Sequence, residues 1–209
     1  MMNKSYFRWV HLPILIGCIL FSPLFLQAQN LREMMAQLPQ EEIPFISADG
    51  VLAQLFEKPV GASIDFPRGT GELIVEARTE NQLAVRYKGS STKMQFAKLK
   101  FRRRPILMLI STAQGIGVVR FYDAKGAPIK GSLGLPELDG SIFLPDTDES
   151  LRVSLPLALS WNEKEKLMII TAHPEECTNS QLRDSYEGLV NSGDRVVYKW
   201  KRRAFKQVK

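Results

Sequence analysis

Five consecutive segments between Gly71 and Asp123 have the composition of β-strands and are separated by turns of only a few residues. In most of them polar and apolar residues alternate, which is typical of strands with one buried face. Strands joined by such short turns must run antiparallel, because a parallel connection needs a long crossover. The chain therefore predicts an antiparallel meander built from "GELIVEAR", "LAVRYK", "KMQFAKLKF", "PILMLIST" and "GVVRFYD".

Two of these segments depart from simple alternation. "PILMLIST" is apolar on both faces, which predicts a strand in the centre of the sheet. In "KMQFAKLKF", Phe96 and Leu99 fall out of phase, so we expect a β-bulge near Lys98.

The residues before the meander predict two short amphipathic helices. Apolar residues recur at helical spacing in "NLREMMAQLP" (30–39), where Pro39 ends the pattern. "SADGVLAQLFEKP" (47–59) repeats the arrangement, with Ser47 or Asp49 available to cap the helix. We expect this helix–loop–helix to bury its apolar stripe on one face of the sheet.

The second half of the chain predicts further elements after a long Gly-, Pro- and Asp-rich connection at 131–150, which carries a short strand at 141–144. Residues 151–161 alternate as a strand, and Pro156 favours an edge position for it because proline lacks an N–H donor. That strand forms a hairpin with "KLMIITA", followed by a helix at 178–190 and a final strand at 195–205. The predicted fold class is α+β: an N-terminal helix–loop–helix packed on a mainly antiparallel sheet, with a further hairpin, helix and final strand.

The N-terminal residues predict export. Lys4 and Arg8 precede an apolar run at 12–26, and Ala28 supplies a small residue for cleavage, so residues 1–28 have the layout of a signal peptide. We expect residues 29–209 to form a single α+β domain with a sub-boundary in the 131–150 loop, and no transmembrane segment after signal removal. The alternative is a lipoprotein acylated at Cys18, which lies in "LIGC"; the apolar residues that follow Cys18 oppose it.

Composition limits the partners of the mature chain. Removing Lys4 and Arg8 with the signal leaves 26 basic and 22 acidic residues, and a net charge of +4 does not by itself indicate nucleic-acid binding. Cys177 is the only cysteine left, so the exported chain cannot form an intramolecular disulfide.

Five stretches of the mature chain carry a resemblance to a known family. They are "MMAQLPQEEIPFIS", "PILMLISTAQG", "VVRFYDAKGAPI", "LPLALSWNEKEKLMIITAHPEE" and "VVYKWKRRAF". In these stretches the chain is similar to an uncharacterised family of exported Bacteroidales proteins, a domain of unknown function, and the resemblance covers nearly all of the mature chain. It implies an exported protein and supplies no catalytic residues and no cofactor.

One cluster has residue types suited to catalysis. "HPEEC" contains His173 and Cys177, the only histidine and the only thiol of the mature chain, and such a pair can act as base and nucleophile. The other interpretation is a helix entry, in which Glu175 and Glu176 favour the helix dipole. We favour the helix entry and expect no catalytic residues, no metal site and no cofactor, with a Cys/His-dependent hydrolase as the lesser alternative.

Two basic clusters interleave aromatic residues with charge, "KLKFRRR" (98–104) and "KWKRRAFKQVK" (199–209). Strand alternation would place the charges of the first cluster on one face, with Arg103 pointing to the opposite face and burying its stem. Such a stripe could bind a polyanion. The other interpretation, which we favour, is a solvated sheet face with charges that prevent edge pairing and, for the second cluster, a disordered basic end. The candidate anion-binding residues are Lys98, Lys100, Arg102, Arg104, Lys199 and Lys201.

These patterns predict a periplasmic or extracellular binding or assembly module that is not an enzyme. Its partner would be an envelope protein or an anionic glycan, since an exported protein rarely meets nucleic acid. A surface protein that is lipid-anchored or binds an anionic polymer is the alternative.

Overall fold

A six-stranded antiparallel meander forms the centre of the structure, a computed structural model that describes residues 30–46, 50–66 and 71–208. Its strands lie in sequence order across the sheet, so each pairs with the next along the chain. The five expected strands are all present, and a short strand precedes them. They are β1 (Ser63–Asp65), β2 (Glu72–Arg78), β3 (Gln82–Tyr87), β4 (Lys93–Phe101), β5 (Arg104–Ala113) and β6 (Ile116–Asp123).

The bulge expected near Lys98 is absent, because β4 pairs with β5 in unbroken register from Lys93 to Phe101. The register shift of this sheet lies instead between Val75 and Ala77, in β2. Phe96 and Leu99 are out of phase for a different reason: both faces of β4 are covered. Phe96 packs into the core beneath the helices, while Leu99 packs into a second core on the other face.

Two helices, α1 (Leu31–Ala36) and α2 (Val51–Glu57), cover one face of this sheet as expected. Asn30 begins α1 with a capping box: its side-chain oxygen accepts from the Glu33 amide at 2.8 Å, and Glu33 accepts from the Asn30 amide at 3.1 Å. Gly50 occupies the N-cap position of α2. The expected capping residues Ser47 and Asp49 lie outside the described residues.

A second antiparallel sheet of four strands covers the other face. The strand order is β10-β9-β8-β7, so β7 lies at an edge, as Pro156 led us to expect. The expected final strand at 195–205 is in fact a hairpin, because the chain turns after Trp200. The four strands are β7 (Leu157–Asn162), β8 (Leu167–Ala172), β9 (Arg195–Trp200) and β10 (Phe205–Gln207).

The expected strand at 151–161 is wrong in its first half. Residues Glu149–Ser154 form a helix, α3, and Val153, which alternation placed in the core, is 66% exposed. Leu155 leaves the helical conformation with a ψ of 116°, because the ring of a following proline disfavours the α region.

The two sheets cross instead of running parallel to each other. Along β7, the Leu157 amide donates to the Gly115 carbonyl beside β6, the Trp161 amide to the Gln95 side chain on β4, and Glu163 accepts from Thr79 beside β2. Residues 157–163 span about 20 Å along the chain, and the four strand spacings across the first sheet from β6 to β2 add up to about 19 Å. β7 therefore runs across the strands of the first sheet, a near-orthogonal packing.

The remaining connections differ in detail from their prediction. The loop after β6 pairs with both sheets: the Ile129 amide donates to the Phe121 carbonyl, and the Leu133 carbonyl accepts from the Phe205 amide. A 3-10 helix at Gly140–Ile142 replaces the expected strand at 141–144. The expected helix at 178–190 is the shorter α4 (Ser180–Ser185), which Asn179 caps. The expected domain limits stay a prediction.

Candidate functional site

Two hairpin turns, each with two arginines at its tip, meet at one end of the molecule. Arg102 and Arg103 connect β4 to β5, where Phe101 and Arg104 form the last strand pair. Arg202 and Arg203 connect β9 to β10, and the Lys201 amide closes that turn on the Ala204 carbonyl at 3.0 Å. The Arg102 amide reaches the Arg202 carbonyl at 3.4 Å, so the two turns touch. We call Arg102, Arg103, Arg202 and Arg203 the arginine turns.

The backbone of these turns adopts a conformation that disfavours arginine. Arg102, Arg103 and Arg202 have φ angles of 46°, 71° and 61°. Tight hairpin turns that require positive φ normally use Gly, Asn or Asp, because other side chains cost about 1–2 kcal/mol per residue there. The arginines are therefore not explained by the needs of the backbone.

An aromatic cluster beneath the turns holds the hairpins together. The Phe101 and Trp200 ring centroids lie 6.4 Å apart, and those of Trp200 and Phe205 lie 5.0 Å apart. The Arg102 guanidinium carbon lies 5.2 Å from the centroid of the Phe101 ring, within the range of a cation–π contact. The last residues of β4 and β9 thus fix the position of both turns.

The arginine turns carry uncompensated positive charge. All four residues are exposed, and no ion pair joins any of them to a carboxylate of residues 30–46, 50–66 or 71–208. The ion pairs of that part of the chain lie elsewhere: Arg86–Glu76, Lys93–Glu76, Lys88–Glu72, Arg120–Glu42 and His173–Glu175. Four guanidiniums on two touching turns create a local positive potential that attracts anions.

The predicted residues of the first basic cluster do not share one face. Lys98 lies opposite Leu107, whose side chain packs beneath the helices, and Lys100 follows Lys98 on that face. Arg104 lies opposite Phe101, on the face that meets the second sheet. Arg102 lies in the turn itself, so strand alternation stops before it. Arg103 does not bury its stem but is exposed in the same turn.

The predicted residues of the second cluster are also divided. Lys199 alternates with the buried Tyr198 and Trp200 and therefore lies on the outer face of the second sheet. Lys201 lies at the base of the β9–β10 turn. Of the six predicted residues, the structure thus brings Arg102, Arg104 and Lys201 to the same end of the molecule.

Sequence reasoning missed Arg202 and Arg203 as candidate site residues because it continued the last strand through them. A signal was present: in "FRRR" and "WKRRA" a strand-ending aromatic residue is followed closely by an arginine pair. A turn prediction at both pairs would have found the site.

The structure does not pair His173 with Cys177 through a hydrogen bond. The His173 Nδ1 atom lies 2.9 Å from Oε1 of Glu175, and the buried Cys177 thiol donates at 3.6 Å to the Asn179 carbonyl. Burial raises the pKa of Glu175, but the hydrogen bonds from His173 and the backbone outweigh it and leave that pKa below its usual value. Pro174–Glu176 form a separate 3-10 turn, with His173 before it and Cys177 after it. Because α4 begins only at Ser180 and has no acidic residue in its first turn, Glu175 and Glu176 do not lie at the N-terminus of that helix as we expected.

Metal-binding clusters and membrane-spanning helices are both absent from the described part of the chain. Residues 30–46, 50–66 and 71–208 contain no group of three or more His, Cys, Asp or Glu side chains placed to hold a metal ion. No helix in those same ranges has the length and apolar character needed to cross a membrane.

Comparison with known proteins identifies a fold and no activity. No protein-family model matches the chain. No curated protein matches it either. Among solved structures, it is similar to a domain of an uncharacterised protein from Porphyromonas gingivalis W83, a member of the Bacteroidales, with a TM-score of 0.65 and 16% sequence identity. The match covers 85% of this chain and 97% of that one, so the two share the α+β architecture over most of their length.

Proposed function

We propose that this chain is an exported binding module of the cell envelope, without enzymatic activity, whose arginine turns bind an anionic polymer. One observation carries the proposal: two hairpins that are remote in sequence place Arg102, Arg103, Arg202 and Arg203 together, exposed and without carboxylate partners among the described residues.

The four unpaired positive charges of the arginine turns destabilise the folded protein through mutual repulsion, and an anionic ligand would remove that repulsion. Like charges on touching turns repel one another, and neighbouring acidic residues usually relieve such repulsion. An anionic polymer would supply the missing charge and release the small counterions around it, a favourable contribution that weakens as salt concentration rises. The exposed position of the turns leaves them accessible to a large ligand.

Export is supported by the residue pattern of 1–28, which lies outside the described residues, and by the resemblance to an exported Bacteroidales family. The lipid-anchored form acylated at Cys18 is the alternative. The intact mass of protein purified from its native host distinguishes the two: a soluble exported form begins near Gln29 or Asn30, whereas a mass beginning at an acylated Cys18 would show a lipoprotein.

A binding role is favoured over a Cys/His-dependent activity because the Cys177 thiol is buried and donates to the Asn179 carbonyl, and no hydrogen bond joins it to His173. A screen of purified protein against general hydrolase substrates tests this part of the proposal. Turnover that disappears in the His173→Ala variant would overturn it.

The binding test is retention of the purified protein on an immobilised polyanion such as heparin. Replacing the four arginines by serine should lower the salt concentration needed for elution and flatten the dependence of affinity on salt, since each lost ionic contact reduces that slope. Serine replacements at Arg32, Lys125, Arg183 and Arg195, which are exposed and also lack ion pairs among the described residues, remove the same charge and form the control. Equal elution of the two variants would contradict a role for the turns.

A further inference from the structure

We infer that the arginine turns recognise closely spaced oxyanion groups of the polymer through the planar geometry of their guanidinium groups, with Phe101 as the residue that positions Arg102. This inference rests on the proposed function and deepens it, because it states what the site demands of its ligand. The oxyanion groups can be sulfate or phosphate esters or carboxylates, which all accept two parallel hydrogen bonds from one guanidinium.

The choice of basic residue at the turns is the first observation. Both tip positions of both turns are arginine, as is Arg104 beside the first turn, whereas nearby basic positions in β4, in β10 and at the end of β9 are lysine. Lysine provides a compact point charge on a flexible stem, while arginine presents a rigid fork of donors. A surface that needed only positive charge could use lysine throughout. The lysines in question are Lys98, Lys100, Lys199 and Lys206.

The second observation is that one guanidinium is already oriented. Arg102 lies over the Phe101 ring at 5.2 Å, and that ring packs against Trp200, which packs against Phe205. Phe205 is 3% exposed, so this chain of contacts reaches from the surface into the core. A guanidinium that lies against an aromatic ring keeps the N–H donors at its edge available, and its orientation is set before the ligand arrives.

The third observation concerns how the turns present their side chains. Three of the four arginines hold a positive φ, and the Arg102 amide bonds to the Arg202 carbonyl. The two tips therefore form one surface with several donors side by side. Such a surface matches a ligand with several neighbouring oxyanion groups better than a single small anion, because each guanidinium can hold a different group.

A water-borne polymer is favoured over the headgroups of a membrane. Proteins that bind at a membrane surface usually add apolar side chains to a basic patch. The exposed large apolar residues of the described chain lie outside both turns: Phe45, Val60, Ile116, Val118, Val153, Leu189 and Val208.

The experiment compares variants of the full mature chain that keep its charge. Titration calorimetry with a heparin oligosaccharide measures affinity for the wild type, for the quadruple variant R102K/R103K/R202K/R203K, and for F101L and F101Y. We expect the lysine variant to bind about tenfold more weakly despite its unchanged charge, because single point charges replace bidentate contacts. F101L should bind several-fold more weakly, and F101Y, which keeps the ring, should bind as the wild type does.

Each outcome separates this inference from the proposed function. Wild-type affinity in the lysine variant would overturn the inference and leave the polyanion site standing, since charge alone would then suffice. Equal loss in F101L and F101Y, with both variants as stable as the wild type, would overturn the positioning role of Phe101. Failure of the wild type itself to bind heparin or polygalacturonate would contradict the proposed function.

Three further probes test the class of ligand. Heparin and polygalacturonate oligosaccharides of equal length compare sulfate esters with carboxylates, and preference for either supports the inference. Inorganic sulfate should compete only weakly; competition at concentrations near those of the oligosaccharide would overturn the requirement for neighbouring groups. Tighter binding to phosphatidylserine vesicles than to either polymer would assign the site to a membrane surface and overturn the polymer.

Discussion

At the residue scale, the arginine turns place arginine at exposed positions with positive φ, which hairpin turns usually fill with Gly, Asn or Asp. Asn-Gly or Asp-Gly would suit the β4–β5 turn better than Arg102-Arg103, whose φ angles are 46° and 71°. Strain of this kind is frequently found where side chains bind a ligand. Arg102 and Arg103 would then both lower the stability of the turn and raise its affinity for a ligand.

The double variant R102N/R103G should therefore be more stable and bind less. We expect the free energy of unfolding to rise by about 1–2 kcal/mol, because Asn and Gly adopt the left-handed conformation at lower cost. Urea denaturation measures this gain, and heparin retention measures the accompanying loss of binding. The matched control is Arg104→Ser in regular β5 backbone, which should change stability by no more than about 0.5 kcal/mol. A loss of stability in the double variant would show that the arginine side chains themselves stabilise the turn.

At the element scale, short helices of the second half depend on tertiary contacts for their position. Tyr186 follows α4, is 1% exposed, and donates its hydroxyl to the Leu151 carbonyl of α3 at 3.0 Å. α3 and α4 have only six residues each, too few to be stable in isolation. This contact and the surrounding core hold both helices against the second sheet.

Burial raises the pKa of Tyr186 to about 12, which predicts a loss of stability at alkaline pH. The unfolded phenol loses its proton near pH 10, whereas the folded one keeps it until about pH 12. Above pH 10 the unfolded state therefore binds fewer protons than the folded state, and the free energy of unfolding falls as pH rises.

The variant Tyr186→Phe isolates this effect. At pH 7 it should be less stable than the wild type by about 1–3 kcal/mol, because the Leu151 carbonyl loses its partner. Its stability should then decline less steeply between pH 10 and 12, so the two curves converge. Parallel curves from urea denaturation over that range would refute the assignment to Tyr186.

At the scale of the whole molecule, stability depends on the contact between two crossing sheets. Gly117 of β6 lies directly under Leu159 of β7, and a Cβ atom on Gly117 would lie 2.5 Å from the Leu159 side chain. Leu159 is 7% exposed and belongs to the core between the sheets. The close approach of the sheets at this point requires glycine for reasons of space.

Gly117→Ala should therefore destabilise the protein by about 1–3 kcal/mol, the usual cost of overpacking a core. Leu159→Ala alone should cost about 2–5 kcal/mol, and the double variant should cost less than the sum, because each change makes room for the other. Thermal unfolding of the four proteins measures the coupling. Ser160→Ala on the exposed face of β7 is the control, and strict additivity would contradict the contact.

The secondary structure of the meander could be predicted because strand alternation and helix periodicity are local properties. The boundaries of β2 to β6, the position of α1 and the edge position of β7 follow from the order of neighbouring residues. The errors arose where one pattern had two causes. Phe96 and Leu99 resembled a bulge because a strand covered on both faces also loses its alternation.

The sequence by itself determined the α+β class, the antiparallel meander and the helices on one of its faces, since these depend on which residues are apolar at spacings of two to four. Only the tertiary structure decided that the later strands form a second sheet across the other face. It also decided that Arg102 meets Arg202, a residue 100 positions further along the chain. The spacing of apolar residues along a sequence does not encode this contact, because the contact depends on how the two sheets share one core. The aromatic residues at the ends of β4 and β9, Phe101 and Trp200, pack together and place the two turns side by side.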